Sequence, residues 1–482
     1  MEILWVLGIP LAGGASLALF GHRRWAPELN SAFSLATFIA AVLLVARVVA
    51  AGTMTVFDDQ FFVDSFNVFL VALTAFVAFT TAMFSRPYMR IEQEHGRLTP
   101  TRVRLYHSAY QIFSFTMLLA LLTNNLGILW VAMEGATLST VLLVSLYRTP
   151  ASLEAAWKYF ILCGVGIAQA LFGTILLYFA AEKVLGGGTT SLLWTHLYSV
   201  RGQLEPTVLS LAFVFLLVGY GTKVGLVPLH NWLPDAHAEG PTPISAVLSG
   251  LLLNVALYAV VRSKILVDSA LGTGFSGNLM MGFGLLSAVV AAFFLSRQRD
   301  IKRMFAYSSI EHMGIVTFAF GMGGAVAAFA GLLHMTVHSL TKSAIFFTVG
   351  HAAQKTGTQN MNEIRGLIER NPTIGWGLAL GTLAILGIPP FGVFASEFMI
   401  LTTAMHEHSW ATPFLLLALA VAFAAVFRKV QPMVFGESTA RRLPHQPALF
   451  PVFVHLALVL MLGLYIPPYL EQWYRQAAAL IG

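Results

Sequence analysis

The chain has 482 residues, 57% of them hydrophobic and only 10% charged, with a mean hydropathy of +0.75. Soluble proteins carry roughly a quarter charged residues, so this composition excludes a soluble multidomain protein and points to a polytopic membrane protein. The net charge of +6 does not indicate nucleic acid, because the basic residues lie in short connections between apolar runs, and the single cysteine, Cys163, excludes a disulfide framework or thiolate metal centre.

Apolar runs long enough to cross roughly 30 Å of hydrocarbon fall near 2–20, 31–50, 65–84, 105–123, 126–147, 155–180, 206–227, 244–266, 277–296, 304–321, 325–350, 373–404, 411–432 and 447–468. The expected fold is therefore an all-α membrane protein of about fourteen transmembrane helices. The first run starts at Glu2 without a basic leader and is followed by Arg23 and Arg24, so it reads as a retained span. Loops on one side hold nineteen lysines and arginines, Arg441 and Arg442 among them, against five on the other: Lys183, Arg201, Arg262, Lys264 and Arg475. That asymmetry places both termini on the non-cytoplasmic side of a cell (inner) membrane. Four basic residues remain in or at the edge of spans: Arg47, Lys158, Lys223 and Lys342. Arg47 is close enough to a helix end to snorkel.

Glu134 lies in the middle of the fifth run, LGILWVAMEGATLSTVLLV. Lys223, near the end of the seventh, is the expected partner for that carboxylate; the alternative is a static pair that locks two helices. Lys158 follows Glu154 by four residues on the sixth run, spacing that suits either a functional lysine or a helix-surface salt bridge. The seventh run is expected to break at Pro228, and its continuation LHNWLPDA adds His230 as a further possible site residue. An ionisable residue at a membrane-depth break reads by default as functional.

On the eleventh run His334, His338 and Lys342 follow at i, i+4 and i+8, along one helix face that drifts by about 40° per step. Such a face can relay protons; the alternatives are core histidines bonded to carbonyls, or a metal site, for which no third ligand is evident nearby in sequence. The twelfth run breaks at Pro389-Pro390 and carries Glu397 beyond it, either in the path or facing a vestibule. Matching breaks suggest two inverted five-helix repeats, 105–268 and 269–435, after an N-terminal block of three helices (1–104) and before a last helix (436–482).

KVGLVPLHNWLPDAHAEGPTPISA, RDIKRMFAYSSIEHMG, HMTVHSLTKSAIFF and GIPPFGVFASEFMIL together resemble the antiporter-like, proton-translocating subunits of complex I, Mrp antiporters and energy-converting hydrogenases. The stretch EGATLSTVLLVSLYRTPASLEAAWKYFILCGVGIAQALFGT is most similar to the F-type subunit of hydrogenase-4. The resemblance implies a proton path through Glu134, Lys223, His334, His338, Lys342 and Glu397. It also implies a departure at Ser249, where many relatives carry a basic residue linking two half-channels. It implies no cofactor or metal in this chain, no enzymatic activity of the chain alone, and as partners the other membrane subunits of a complex with a peripheral redox arm. Two further readings remain open: a Mrp-type cation/proton antiporter subunit, and the membrane half of an inorganic-carbon uptake complex.

Overall fold

The computed structural model describes residues 1–437 and 449–482; Arg441, Arg442 and the first two residues of the expected last run lie outside them. The described residues are nearly all helical. Helices α1 (Glu2–Phe20) and α2 (Ala26–Ala51) lead to a small antiparallel hairpin, β1 (Met54–Val56) and β2 (Phe61–Val63). Helices α3 (Ser65–Glu94), α4 (Pro100–Leu122), α5 (Leu126–Val144), α6 (Pro150–Leu185), a short α7 (Trp194–Ser199) and α8 (Pro206–Val224) follow. Then come α9 (Trp232–Glu239), α10 (Thr242–Val247), one π turn (Leu248–Leu252), α11 (Leu253–Leu271), α12 (Thr273–Leu295) and α13 (Ile301–Met322). The second half holds α14 (Gly324–Thr356), a single turn α15 (Leu367–Arg370), α16 (Pro372–Ile385), α17 (Gly392–Glu407), α18 (Thr412–Phe435), α19 (Phe450–Leu464) and α20 (Pro468–Ile481).

Local chemistry sets many of these starts. Thr99-Pro100, Thr149-Pro150, Glu205-Pro206 and Asn371-Pro372 each place a capping side chain before a proline at the first helical position, where no backbone donor is needed. Eleven helices among the described residues are long and apolar enough to cross a membrane, or twelve if α19 and α20, bent by 79°, count as one span. Helix α13, with Lys302, Arg303 and Glu311, is not among them, and the α16–α17 stretch is divided into two shorter helices.

Without a hydrophobic drive between helices in lipid, close approach falls to small residues. Helices α12 and α13 meet backbone to backbone at glycines: a Cβ on Gly284 would lie 2.6 Å from the Gly314 carbonyl, and one on Gly314 equally close to the Gly284 carbonyl. Helices α6 and α8 meet in the same way through Gly166 and Gly219. Three helices are buried almost throughout: the α10–α11 span, α13, and α14, which at 33 residues is about 50 Å long. They form the centre around which the others pack.

Arg262 and Lys264, expected in a loop, are instead buried on α11. Arg262 pairs with Asp64 at 2.7 Å and Lys264 with Asp268. The Asp64 carboxylate also caps α3, so one buried pair ties the N-terminal block to the centre. Arg47 reaches Glu2 at 2.8 Å near a helix end, as its position suggested. Unexpected from sequence, α20 returns across the bundle, with the Tyr474 hydroxyl 2.7 Å from Thr336 on α14 and Trp473 donating to the Ser65 carbonyl.

Replacing Gly284 with valine is expected to cost about 1–3 kcal/mol through overpacking. Gly282→Val on the same helix, where a Cβ meets nothing within 4 Å, is the control. Thermal unfolding of the two variants in detergent checks the difference.

Candidate functional site: two buried polar clusters

The first break differs in detail from the expectation. Helix α8 ends at Val224, with Gly225 in the left-handed region at φ 84°, so the helix stops before Pro228. Lys223 therefore lies in the last turn and is wholly buried. Its ammonium donates to the Tyr159 hydroxyl on α6 at 3.1 Å, and that hydroxyl lies 2.6 Å from Thr140 on α5. The expected direct Glu134–Lys223 pair is not formed. Among the described residues Glu134 and Lys223 form no ion pair within 4.0 Å, although the two interact through their charges, and Glu134 Oε2 has no hydrogen-bond partner. Tyr159 stands between them in the network because it can accept from an ammonium while bonding to the helix that carries Glu134. Its ring also packs on Trp232 of α9, whose indole donates to the Thr222 carbonyl, which also accepts from the Gly225 N–H at the helix end.

Lys158 and Glu154 belong to a different arrangement. Lys158 bonds Glu154 at 2.7 Å and Asp235 at 3.1 Å, and Arg303 bonds the other oxygen of Asp235 at 2.7 Å. The half-exposed network joins α6, α9 and α13, a clasp on the broken helix rather than a part of the buried line. His230 packs edge-on against Phe294 and Tyr307, with no hydrogen-bond partner on either nitrogen. His237, not anticipated, is fully buried against the Phe346 ring of α14, without a hydrogen-bond partner on either nitrogen, and feels the charges of Lys302 and Lys342.

The second cluster gathers around α14. Lys342 is fully buried and donates to the Phe305 carbonyl at 3.0 Å, with Glu311 of α13 near enough to interact electrostatically. Ser249, the position expected to be a gap, lies in the π turn, and its hydroxyl is 2.7 Å from that of Ser309. Ser309 in turn donates to the Phe305 carbonyl that Lys342 uses. A polar connection of serine hydroxyls thus stands where a basic side chain was missing, and π turns of this kind recur at functional positions.

Farther along α14, His334 Nε2 lies 3.0 Å from His312 Nδ1 on α13, and His334 Nδ1 is 2.9 Å from the Ser396 hydroxyl on α17. The Ser396 hydroxyl is also within reach of the Gly392 and Val393 carbonyls, and the tautomer of His334 sets which nitrogen donates. Glu397 Oε1 is 3.6 Å from His312 Nδ1 and has no hydrogen-bond partner. The His338 ring is 5.6 Å from that of His312, with both nitrogens unpartnered. Glu397 is placed by the second break: Gly387, at φ 63°, leaves the space its carboxylate fills.

The ligand atoms of His312, His334 and Glu397 all lie within 4.8 Å of one another, the one converging group of metal-ligating type among the described residues. Of the two histidines spaced at i, i+4 only His334 belongs to this group; the other two donors, His312 and Glu397, come from α13 and α17. Of the expected residues, Glu134 and Lys223 share the first cluster, and Lys342, His338, His334 and Glu397 the second. Tyr159, His237, Glu311, His312 and Ser396 were missed. Glu311 and His312 were visible as polar residues inside an apolar run; the others gave no pattern.

The comparisons fit this architecture. Residues 123–427 match the family described as NADH:quinone oxidoreductase/Mrp antiporter, transmembrane. The chain is 48% identical, over the whole of both sequences, to a hydrogenase-4 component F homolog from Methylacidiphilum infernorum (isolate V4). It superposes with a TM-score of 0.90 at 24% identity on a chain of an archaeal membrane-bound sulfane sulfur reductase, covering 100% of this chain and 98% of that one. The TM-score is 0.83 at 21% identity on a chain of respiratory complex I from Thermus thermophilus, with 100% of both covered.

Asp235→Asn is expected to loosen the clasp by about 1 kcal/mol, since its partners are half exposed. Glu154→Gln should leave the unfolding temperature unchanged. Differential scanning calorimetry of the two variants separates these outcomes.

Proposed function

We propose that this chain, which belongs to the NADH:quinone oxidoreductase/Mrp antiporter transmembrane family, is the proton-translocating subunit of a multisubunit redox-driven membrane complex of the hydrogenase-4 type. The observation that carries this reading is the pair of broken helices, each with a buried ionisable residue at its break: Lys223 at the end of α8, and Glu397 against Gly387 between α16 and α17. Breaks in corresponding positions of two halves are how secondary transporters build an ion site.

In this reading a proton enters from the cytoplasmic side to Lys223. Its affinity there depends on how near the Glu134 charge lies. Tyr159 couples the two, since it bonds both Lys223 and Thr140 on the helix that carries Glu134. A shift of α5, driven from a neighbouring subunit, lowers the affinity and releases the proton. The transfer to Lys342 passes the π turn, where Ser249, Ser309 and the neighbouring His237 supply polar groups. From Lys342 the proton moves through His338, His334 and His312 to Glu397 and leaves on the other side. Each imidazole takes the proton on one nitrogen and gives it up from the other. Electron transfer is assigned to partner subunits of a peripheral redox arm.

The finer topology belongs to the same proposal. Helix α13, the α16–α17 pair and α19 also cross, giving fourteen crossings with both termini outside. Residues 105–268 and 269–435 are inverted units in which Glu134 on α5 corresponds to Glu311 on α13. Glu134, Glu311 and Glu397 stand among nitrogen bases rather than in a cage of oxygens, which favours protons over sodium as the ion carried.

Lys223→Ala in the assembled complex is expected to abolish redox-driven acidification of membrane vesicles; undiminished pumping would refute the proposal. Acidification that requires sodium but no electron donor would instead support an antiporter. Gly387→Ala alters no titratable group but displaces the Glu397 carboxylate, and should slow translocation roughly 10-fold or more. Flow measurements on reconstituted vesicles, normalised to the amount of assembled complex, check that expectation.

A further inference from the structure

Two cavities at one end of the bundle share one residue, Arg148. The first, of about 440 Å³, lies between the start of α4 and the α5–α6 turn and is lined by Thr99, Thr101, Arg102, Arg104, Ser108 and Arg148 among others. The second, of about 370 Å³, is a groove between α5 and α6 lined by Leu138, Leu142, Leu153, Ala156, Trp157, Phe160 and, at its mouth, Arg148.

The chemistry of the two is opposite. None of Arg102, Arg104 and Arg148 has a carboxylate within 4.0 Å among the described residues, whereas Arg86, Arg90, Arg97, Arg262 and Arg303 each have one. Arg102 is fixed by donation to the Tyr147 carbonyl at 3.3 Å, which aims it at the α5–α6 turn. Helix α4, 23 residues long, opens at Thr99-Pro100, so the positive end of its dipole adds to the same cavity. The groove, by contrast, is walled by large apolar side chains that face outward, Trp157 being 63% exposed and Leu138 50%. Arg148 stands at the join, held in the left-handed region at φ 57°.

We infer that these cavities form one binding site for an anionic phospholipid. The phosphate is held by Arg102, Arg104 and Arg148, and an acyl chain lies in the α5–α6 groove. Charge complementarity selects this occupant. A transmembrane helix of a neighbouring subunit would cover the groove but leave three guanidinium groups without counter-ions, and a free phosphate would leave the groove bare. Basic pockets next to the cytoplasmic ends of transmembrane helices recognise lipid headgroups in this way. The depth also agrees: these arginines belong to the cytoplasmic set of basic residues, and the groove runs from them along α5 and α6 toward the membrane interior. The lipid would sit on α5, the helix that carries Glu134, and stiffen its packing on α6.

The test is native mass spectrometry of the assembled complex released from membranes containing phosphatidylglycerol and phosphatidylcholine. The wild type is expected to retain phosphatidylglycerol preferentially. Retention should fall about fivefold for each of Arg102→Gln, Arg104→Gln and Arg148→Gln. Ala156→Trp fills the groove while keeping all three arginines, and it should lower retention as well, so a single misassembled variant does not decide the matter. Excess inorganic phosphate should not displace the lipid. Equal retention by wild type and all variants would overturn the inference. So would displacement by inorganic phosphate, or a crosslink from position 148 to an acidic segment of a neighbouring subunit in complexes free of the lipid.

Discussion

Two ammonium groups buried in an apolar bundle govern much of this structure. Lys223 and Lys342 are both wholly enclosed, and each has one hydrogen-bonding protein partner, the Tyr159 hydroxyl and the Phe305 carbonyl. A charge in such surroundings costs several kcal/mol unless counter-charges and dipoles surround it. Carboxylates at electrostatic range, Glu134 for the first and Glu311 for the second, offset part of that cost, and neither lysine has a tight ion pair among the described residues. A tight pair would hold the proton on the lysine. In the proposed mechanism a carboxylate held at a distance lets a modest movement change the proton affinity of the lysine.

That movement needs a frame that does not move. Glycine contacts fix α12 on α13 and α6 on α8 at backbone distance, and the buried Arg262–Asp64 pair fixes the N-terminal block to α11. The irregular elements lie inside this frame. The breaks after Val224 and Ile385 and the π turn at Leu248–Leu252 each coincide with a residue of the polar line: Lys223, Glu397 and Ser249. Irregular backbone in a membrane is tolerated where protein groups bond its polar atoms, as Trp232 does for the Thr222 carbonyl. The clasp of Lys158, Asp235 and Arg303 holds the short α9 in place across the first break.

Much of the candidate site was legible in the sequence because charge inside an apolar run is conspicuous. Lys223, Lys342, Glu134 and Glu397 stand out for that reason, and the i, i+4, i+8 spacing places His334, His338 and Lys342 on one face. What escaped was neutral or depended on another helix. Tyr159 looks like any aromatic residue of a buried helix until its hydroxyl is seen between Lys223 and Thr140. His312 gains its meaning from His334, 22 residues away, and from Glu397 on a third helix. Ser249 reads as a deficiency in one dimension, yet in three it lies beside Ser309.

The sequence alone determined that the chain is a helical membrane protein, roughly where most of its long apolar helices run, and that the seventh and twelfth runs are interrupted. Those properties follow from hydropathy over windows of some twenty residues and from the local stereochemistry of proline and glycine. Only the tertiary structure decided the pairings: that Tyr159 rather than Glu134 touches Lys223, that Arg262 and Lys264 are buried rather than in a loop, and that the polar residues divide into two clusters met by a π turn. The physical reason is range. Burial and helix breaks are written in neighbouring residues, whereas a hydrogen bond between side chains on different helices depends on rotation and offset to within about an ångström, which no periodicity along a single helix can specify.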